Sequence, residues 1–253
     1  MRSMTDELFR TNAPLAMCDA QVVAVTPQGV VLDRTVFYPL GGGQAGDSGV
    51  LLMESGDELA IADTRKEKDD TGAATGRIVH IPAPGQEALL ARLQVGNTLA
   101  ARIDWSRRHR LMRLHSATHL LCHLVPELVN GCSITPDYAR MDFAMTAPLD
   151  KGVLTQGLAA LVAAALPLEV GAITDAELDA NPALVKSMSV QPPRGTGRIR
   201  IIRIGAADGG EPIDLQPCGG THVANTAEIG AIVVTKIEKK SASTRRVVLG
   251  FVE

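Results

Sequence analysis

The first hundred residues carry short apolar runs separated by turn-forming residues, a pattern typical of β-strands. The first two runs are rich in valine and are separated by the turn signal TPQG at 26–29. Strands are predicted at 20–25, 30–37, 50–53, 59–62, 77–81 and 98–103. Strands of this length and spacing favour a small barrel. The polar stretch 63–76 is predicted as a loop, and 86–93 as a short helix.

The pattern changes at Asp104, after which apolar positions recur at helical spacing until Pro126. This predicts a helix over about 106–125, whose start Asp104 or Ser106 can cap. Further helices are predicted at 149–166 and 174–181, and strands at 198–204, 231–238 and 245–252, the last two forming a hairpin. In 198–204 arginine and isoleucine nearly alternate, which predicts that the arginines share one face of a strand.

Together these elements predict an α+β protein with two domains. Residues 1–104 are expected to form a glycine-rich β-barrel domain, and 105–253 an α+β domain with helices packed on a mostly antiparallel sheet. The 45% hydrophobic and 21% charged content of the 253 residues is that of a globular chain rather than a disordered one.

Features that the sequence lacks limit the expected location and partners of the protein. No apolar run is long enough to cross a bilayer, residues 1–10 do not resemble a signal peptide, and four cysteines do not make a disulfide framework. We therefore expect a cytoplasmic protein with no membrane partner.

The net charge of −3 argues against broad nucleic-acid binding, but basic residues are clustered. The three clusters are Arg107, Arg108, His109, Arg110 and Arg113; Arg194, Arg198, Arg200 and Arg203; and Lys236, Lys239, Lys240, Arg245 and Arg246. Each alone can be a solvated face, whereas three clusters in the C-terminal portion favour a phosphate-bearing partner.

Two pairs of residues suggest a metal site. His115 and His119 lie four apart on the predicted helix, so their side chains share one face. Cys218 and His222 flank two glycines that permit a tight fold. Three imidazoles and a thiolate form a reasonable tetrahedral zinc set. Ser116 occupies the position of the glutamate in HExxH zinc proteases, so that class is not expected.

Each of these residues also has a simpler interpretation. The histidine pair can be core packing, and Cys218 a buried free thiol. Cys122 and His123 are alternative ligands, although we expect Cys122 in the core because the CGGTH pair already completes four ligands. His80 is predicted at the surface, as is His109.

Gly41, Gly42 and Gly43 precede Gln44 in a segment whose exposed backbone N–H groups can cradle phosphate or ribose. The alternative is a wide turn between barrel strands. No Lys-Ser/Thr pair follows, as in a Walker loop, and no helical pattern follows, as in a dinucleotide fingerprint. No nucleotide cofactor is therefore expected.

The motifs HSATH at 115–119, CGGTH at 218–222 and GGGQ at 41–44 resemble the editing domain of alanyl-tRNA synthetase. They are still more similar to its free-standing relatives, the AlaX alanyl-tRNA editing proteins, and segments 37–49, 131–143 and 237–249 extend the resemblance. The threonyl-tRNA synthetase editing domain shares the zinc motifs, but the glycine-rich barrel favours the alanine group. Nothing in the chain reads as an aminoacylation domain.

The resemblance implies a trans-editing deacylase that hydrolyses the aminoacyl ester of tRNA(Ala) mischarged with serine, with glycine as a second candidate amino acid. One Zn²⁺ held by His115, His119, Cys218 and His222 would activate water or anchor the substrate, and both roles stay open. Polar contributors expected from proximity or resemblance are Thr118, Gln44, Asp142, Asp214 and Gln216. Expected tRNA contacts are Gly41, Gly42, Gly43, Arg140, Lys239, Lys240, Arg245 and Arg246.

Two other functions fit the same motifs. One is a zinc hydrolase acting on a different small ester or amide, which would not need the basic clusters. The other is a non-catalytic tRNA-binding module in which the zinc is structural.

Overall fold

A computed structural model of the chain describes residues 4–195, 197–205 and 210–252. The chain divides into two compact units, Met1–Gly41 with Ala45–His109, and Gly42–Gln44 with Arg110–Glu253. The division falls five residues beyond the boundary expected from the sequence. It also assigns Gly42–Gln44, which we expected in the barrel domain, to the second unit.

The first unit is built from short strands with little helix. Its strands are β1 (Asp6–Glu7), β2 (Met17–Thr26), β3 (Gly29–Leu32), β4 (Arg34–Thr35), β5 (Gly49–Met53), β6 (Glu58–Lys68), β7 (Ala74–Pro82) and β8 (Thr98–Ile103), joined by a 3₁₀ turn at Leu8–Arg10 and helix α1 (Glu87–Leu90). Antiparallel pairing runs β2-β3-β7-β6-β5-β8 and returns to β2, so six strands form a closed barrel. Strands β1 and β4 pair in parallel beside it.

The barrel is filled by one face of each strand. Along β2, Ala20 and Val22 are buried, and along β8 the alternate residues Leu99, Ala101 and Ile103 are buried. Aliphatic side chains at period two therefore build the core, as expected for a chain with only 3% aromatic residues.

The loop predicted at 63–76 is wrong. Strand β6 continues to Lys68, β7 begins at Ala74, and only residues 69–73 separate them. Asp63 pairs with Ile81 and Lys66 with Ile78, so polar residues of β6 lie opposite apolar residues of β7. Pairing with an apolar neighbour, not the hydrophobicity of β6 itself, orders this part of the strand.

Two polar side chains of the first unit, one of them expected at the surface, are buried. His80 is fully buried rather than at the surface, because Thr35 and the Val30 carbonyl hydrogen-bond both of its ring nitrogens. Arg108 is also fully buried, where it pairs with Asp47. The first basic cluster is therefore not a continuous solvated face.

The second unit combines helices with two antiparallel sheets. Helix α2 (Trp105–Leu124) begins in the first unit and is followed by β9 (Val129–Ile134), β10 (Tyr138–Ala144), α3 (Lys151–Ala163), β11 (Leu168–Ile173), α4 (Asp175–Ala180), β12 (Ile199–Ile204), β13 (Asp214–Pro217), β14 (Ile232–Ser241) and β15 (Thr244–Phe251), with 3₁₀ turns at Pro182–Leu184 and Thr226–Ile229. The sheets have the orders β14-β15-β10-β9 and β11-β12-β13.

The α+β class is confirmed, as are the three helices of this unit and the C-terminal hairpin. Asp104 caps α2, since its Oδ1 accepts a hydrogen bond from Arg107 N at 3.0 Å. Helix α3 is shorter than predicted, and strands β9, β10 and β11 were not predicted. In the part of the chain that the structure describes, no helix has the length and apolarity to cross a membrane.

The expectation that the arginines of 198–204 share one face is wrong. Arg200 and Arg203 are three residues apart on β12, so they point to opposite faces. The adjacent Ile201 and Ile202 interrupt the alternation, and both isoleucines are buried. Arg200 Nη1 donates to the carbonyl oxygen of Cys218 at 2.6 Å, which places this guanidinium beside the candidate site.

Candidate metal centre

The two motif pairs converge on one point. His115 and His119 lie on α2, and Cys218 and His222 lie in the segment after β13. One ligand atom from each of the four residues can be chosen so that all lie within 4.8 Å of one another. Cys218 Sγ is 3.5 Å from His115 Nε2 and 3.3 Å from His222 Nε2. This group could hold a metal ion.

Each imidazole is oriented through its Nδ1 atom. The pairs are His115 with Gln44 Oε1 at 2.7 Å, His119 with Asp214 Oδ2 at 2.7 Å, and His222 with Ser116 Oγ at 3.2 Å. A histidine that donates from Nδ1 keeps the Nε2 lone pair for a metal, and the second partner fixes the ring. The three Nδ1 contacts therefore match those of a metal centre, and the donor set of three nitrogens and one sulfur suits zinc.

Gln44 connects the helix to the CGGTH segment. Its Oε1 accepts hydrogen bonds from His115 Nδ1 and from Thr221 N at 3.1 Å, and its Nε2 donates to Thr221 Oγ1 at 2.9 Å. Gly220 lies against the same histidine, because a Cβ there would be 2.1 Å from His115 Cε1. The segment can approach His115 this closely only because position 220 has no side chain.

Asp214 joins His119 to two other side chains. Lys186 Nζ lies 2.5 Å from Asp214 Oδ1, and Gln216 Nε2 donates to both carboxylate oxygens at 3.1 and 2.9 Å. Burial works to raise the pKa of Asp214, but His119 and Lys186 outweigh it and hold that pKa below its usual value. The Asp214 carboxylate is thus charged, and it contacts His119 and Lys186 in addition to Gln216.

Burial and mutual contacts also shift the pKa values of the ligands. Burial opposes the thiolate of Cys218, yet contact with His115 and His222 lowers the pKa of Cys218 well below the usual range. Burial and the neighbouring His115 lower the pKa of His222 to about 3. Burial opposes the charged form of His119, but Asp214 raises the pKa of His119 to about 9. A thiolate and a neutral imidazole are forms that bind metal.

The other candidates for catalysis lie in different settings. Gln44, Asp214 and Gln216 belong to the hydrogen-bonded surroundings of the ligands. Thr118 is buried on α2, where its Oγ1 donates to the carbonyl oxygen of His115 at 2.6 Å. Asp142 forms a bidentate ion pair with Arg246 at 2.7 and 2.8 Å, so both of its oxygens are engaged within the sheet, and its catalytic role stays a prediction.

The proposed tRNA contacts differ in availability. Lys239 and Lys240 are exposed and Arg140 is half-buried. Arg246 is held by Asp142, and Arg245 is buried, with Nη1 donating to the carbonyl oxygens of Ser241 and Thr244. Among the glycines, Gly43 packs against Cys132 and its φ of +86° is a conformation that glycine favours. Cys122 is buried, as expected.

Sequence reasoning missed two residues of the centre. Ser116 stands out in the sequence only as the absence of a glutamate, yet it accepts a hydrogen bond from Val223 N at 3.2 Å and contacts His222. Lys186 follows a 3₁₀ turn and belongs to no motif, so no signal in a single sequence could have found it.

Two families of tRNA synthetase domains match parts of this two-unit α+β chain. The family described as threonyl and alanyl tRNA synthetase second additional domain matches residues 199–248, and the family described as tRNA synthetases class II (A) matches residues 12–107.

The chain belongs to the alanyl-tRNA editing protein family. It is 32% identical over 249 residues to the alanyl-tRNA editing protein AlaX-M of Saccharolobus solfataricus, covering 96% of this chain and 98% of that protein. It is 30% identical over 258 residues to the protein of the same name from Methanosarcina barkeri, covering 99% and 100%. It is also 31% identical over 246 residues to the alanine–tRNA ligase of Pyrobaculum calidifontis, covering 93% of this chain but 25% of the ligase.

Proposed function

We propose that this protein hydrolyses tRNA(Ala) mischarged with serine or glycine, acting in trans, with one Zn²⁺ held by His115, His119, Cys218 and His222. The observation that carries the proposal is the convergence of these four ligand atoms, each imidazole fixed from behind by a hydrogen-bond partner. Full-length similarity to proteins named alanyl-tRNA editing proteins supports the substrate class. Since charged tRNA is the substrate, we place the protein in the cytoplasm.

The limits of binding explain why such an enzyme is useful. Glycine is one methyl group smaller than alanine, and serine adds one hydroxyl. A hydrophobic pocket separates such substrates by only about 1–3 kcal/mol, so a second site must remove the errors. A site that hydrogen-bonds the serine hydroxyl discriminates against alanine, because alanine would leave its polar groups unpaired.

In the reaction, water adds to the ester carbonyl carbon and the bond to the ribose oxygen breaks. The amino acid leaves with a free carboxylate, and the ribose oxygen takes a proton to become a hydroxyl. When bound, Zn²⁺ supplies Lewis acidity that can polarise the ester carbonyl or lower the pKa of a water. The chain itself supplies a thiolate at Cys218 and imidazoles fixed by Gln44, Asp214 and Ser116. These partners keep the site preorganised before the substrate arrives.

Phosphate contacts are proposed for Arg140, Lys239 and Lys240, and backbone contacts for the glycines at 41–43. Arg245 and Arg246 remain in this proposal, although each would have to share its present protein partners. Contacts to the tRNA backbone release counterions, so we expect the affinity for tRNA to fall steeply as salt rises.

The test compares deacylation of Ser-tRNA(Ala), Gly-tRNA(Ala) and Ala-tRNA(Ala) by the wild type and by Cys218→Ala. We expect the wild type to spare Ala-tRNA(Ala). We expect Cys218→Ala to lose its bound zinc and its deacylation rate to fall by more than about a hundredfold. Losing the hydrogen-bond partner of a metal ligand typically costs about 10–100-fold, and losing the ligand itself should cost more. Cys18→Ser, at a half-buried cysteine of the first unit, is the matched control and should retain both.

Two outcomes would contradict the proposal in different ways. Equal rates on all three substrates, or none, would favour a hydrolase of another small ester. Unfolding of Cys218→Ala in circular dichroism, together with tRNA binding but no deacylation by the wild type, would favour a binding module with structural zinc.

A further inference from the structure

Lys186 is the one cationic side chain that contacts the carboxylate behind His119, within the part of the chain that the structure describes. Its Nζ lies 2.5 Å from Asp214 Oδ1, while Asp214 Oδ2 lies 2.7 Å from His119 Nδ1. The Asp214 side chain is fully buried, and that of Lys186 is 25% exposed. The carboxylate therefore links the lysine directly to a candidate metal ligand.

The position of Lys186 is fixed by its main chain. Val129 N donates to the Lys186 carbonyl oxygen at 2.8 Å, and Met188 N donates to the Val129 carbonyl oxygen at 2.8 Å. Ser187 thus forms a parallel bridge with Val129 at the start of β9. The segment that carries Lys186 is therefore attached to the four-stranded sheet. Its backbone is fixed by hydrogen bonds to β9, which sets the position from which the Lys186 side chain extends.

The charge on Asp214 makes this contact consequential. A buried carboxylate is stable only when other groups compensate its charge and fill its hydrogen-bonding positions. His119 and Gln216 supply donors, but His119 is neutral when it binds a metal, and Gln216 is always neutral. With a metal bound, Lys186 is then the cation in contact with this carboxylate among the residues that the structure describes.

The other two imidazoles are oriented differently. Gln44 presents an amide oxygen to His115, and Ser116 presents a hydroxyl to His222. Neither partner carries a charge, so neither needs a counterion. The carboxylate at His119 is the charged member of the three, and it is the one with a lysine against it.

We infer that Lys186 is a positioning residue of the metal centre: it compensates and orients Asp214, which in turn holds the His119 ring with Nε2 toward the ion. The inference rests on the proposed metal site. Lys186 does not itself ligate the ion, and its contribution is expected to be seen in metal affinity before it is seen in chemistry.

The experiment measures zinc affinity of the whole chain by competition with a chelator, for the wild type, Lys186→Met and Lys186→Arg. Loss of a partner behind a metal ligand typically lowers affinity by about 10–100-fold, and for this outer position we expect about tenfold in Lys186→Met. Lys186→Arg keeps the charge and should recover most of it. Lys151→Met is the matched control, because Lys151 is exposed and its Nζ donates only to the Thr235 carbonyl oxygen among the contacts described.

A second measurement separates positioning from direct substrate contact. The visible spectrum of the Co²⁺-substituted protein should change in Lys186→Met, because the ligand field depends on how His119 is held. The double variant Asp214→Asn with Lys186→Met should lose less metal-binding free energy than the sum of the losses in the two single variants. Unchanged metal affinity and spectrum, with a loss only in KM for tRNA, would overturn the inference. Absence of zinc binding by the wild type would instead overturn the metal proposal itself.

Discussion

Both units bury polar side chains, but they complete the hydrogen bonding of those side chains differently. In the first unit, Arg108 Nε donates to both oxygens of Asp47 at 3.1 and 2.9 Å, and its Nη atoms donate to the carbonyl oxygens of Val36 and Ala13. In the second unit, each imidazole of the candidate centre has a partner at Nδ1, whereas Nε2 of His115 and Nε2 of His222 both contact the single sulfur of Cys218. Burial of a charged or polar group is common to both.

This contrast separates buried polar groups that stabilise a fold from those that indicate a function. A buried polar cluster whose donors and acceptors match one another stabilises the fold. A cluster that directs several lone pairs at one point needs an additional partner. Here the lone pairs belong to imidazole nitrogens and a cysteine sulfur, which are ligands that zinc prefers. Three further experiments test this contrast, and the change with the strongest predicted consequence is described first.

The largest effect is expected from Arg108→Met. Removing one partner of a buried ion pair leaves the other charge uncompensated, which typically costs about 3–5 kcal/mol. We expect that loss in the free energy of unfolding measured with urea. Arg102→Met is the matched control, because Arg102 pairs with Glu58 in the same unit but both side chains are about half exposed, and such pairs contribute less than about 1 kcal/mol. Equal effects of the two changes would show that the buried cluster is not structural.

Gly220→Ala tests the second unit in the opposite way. A methyl group at this position would lie 2.1 Å from His115 Cε1 and 2.8 Å from Gln44 Oε1, so the ring must move. We expect zinc affinity to fall about a hundredfold, the upper range for disturbing a ligand's support, with little change in circular dichroism.

Gly152→Ala is the control for Gly220→Ala, since it adds the same methyl group to an exposed helical position whose nearest atom, Asp150 Oδ1, is 3.2 Å away. It should leave the metal affinity unchanged. If Gly220→Ala bound zinc as tightly as the wild type, the approach of the CGGTH segment to His115 would not matter for the centre.

The sequence was most informative where spacing determines geometry. His115 and His119 could be assigned to one helix face because a four-residue interval fixes that relation. Gln44 and Asp214 were identified as polar candidates, but their position behind the imidazoles depends on contacts between segments far apart in the chain. The same dependence hid Lys186.

The fold shows the same limit. Strands β9 and β10 were missed because their sequences are short and mixed. Their structure is set by antiparallel pairing of β9 with β10 and of β10 with β15. On β7, the consecutive residues Ile78, Val79 and His80 are all buried, so no alternation marks which residue faces solvent. His80 was expected at the surface, and only its neighbours in the fold show why a histidine can be enclosed there.

The smallest of these effects is a pH dependence from His80. Val30 O can only accept, so His80 Nδ1 carries the proton, and Nε2 accepts from Thr35 Oγ1 at 2.7 Å, which makes the neutral ring complete. Burial lowers the pKa of His80 to about 4 from a usual value of 6.5. The unfolded chain therefore binds a proton more readily than the folded chain, so the stability that His80 provides above pH 6.5 is lost as the pH falls toward 4.

Between pH 7 and pH 5 we expect this residue to remove about 2 kcal/mol of the free energy of unfolding. His80→Asn should abolish that part of the pH dependence, whereas His109→Asn, at a half-buried residue stacked on Trp105, should keep it. If urea unfolding at the two pH values gave the same difference for the wild type and His80→Asn, the enclosed imidazole would have to be charged or exposed, and the barrel unit would not satisfy its polar groups internally.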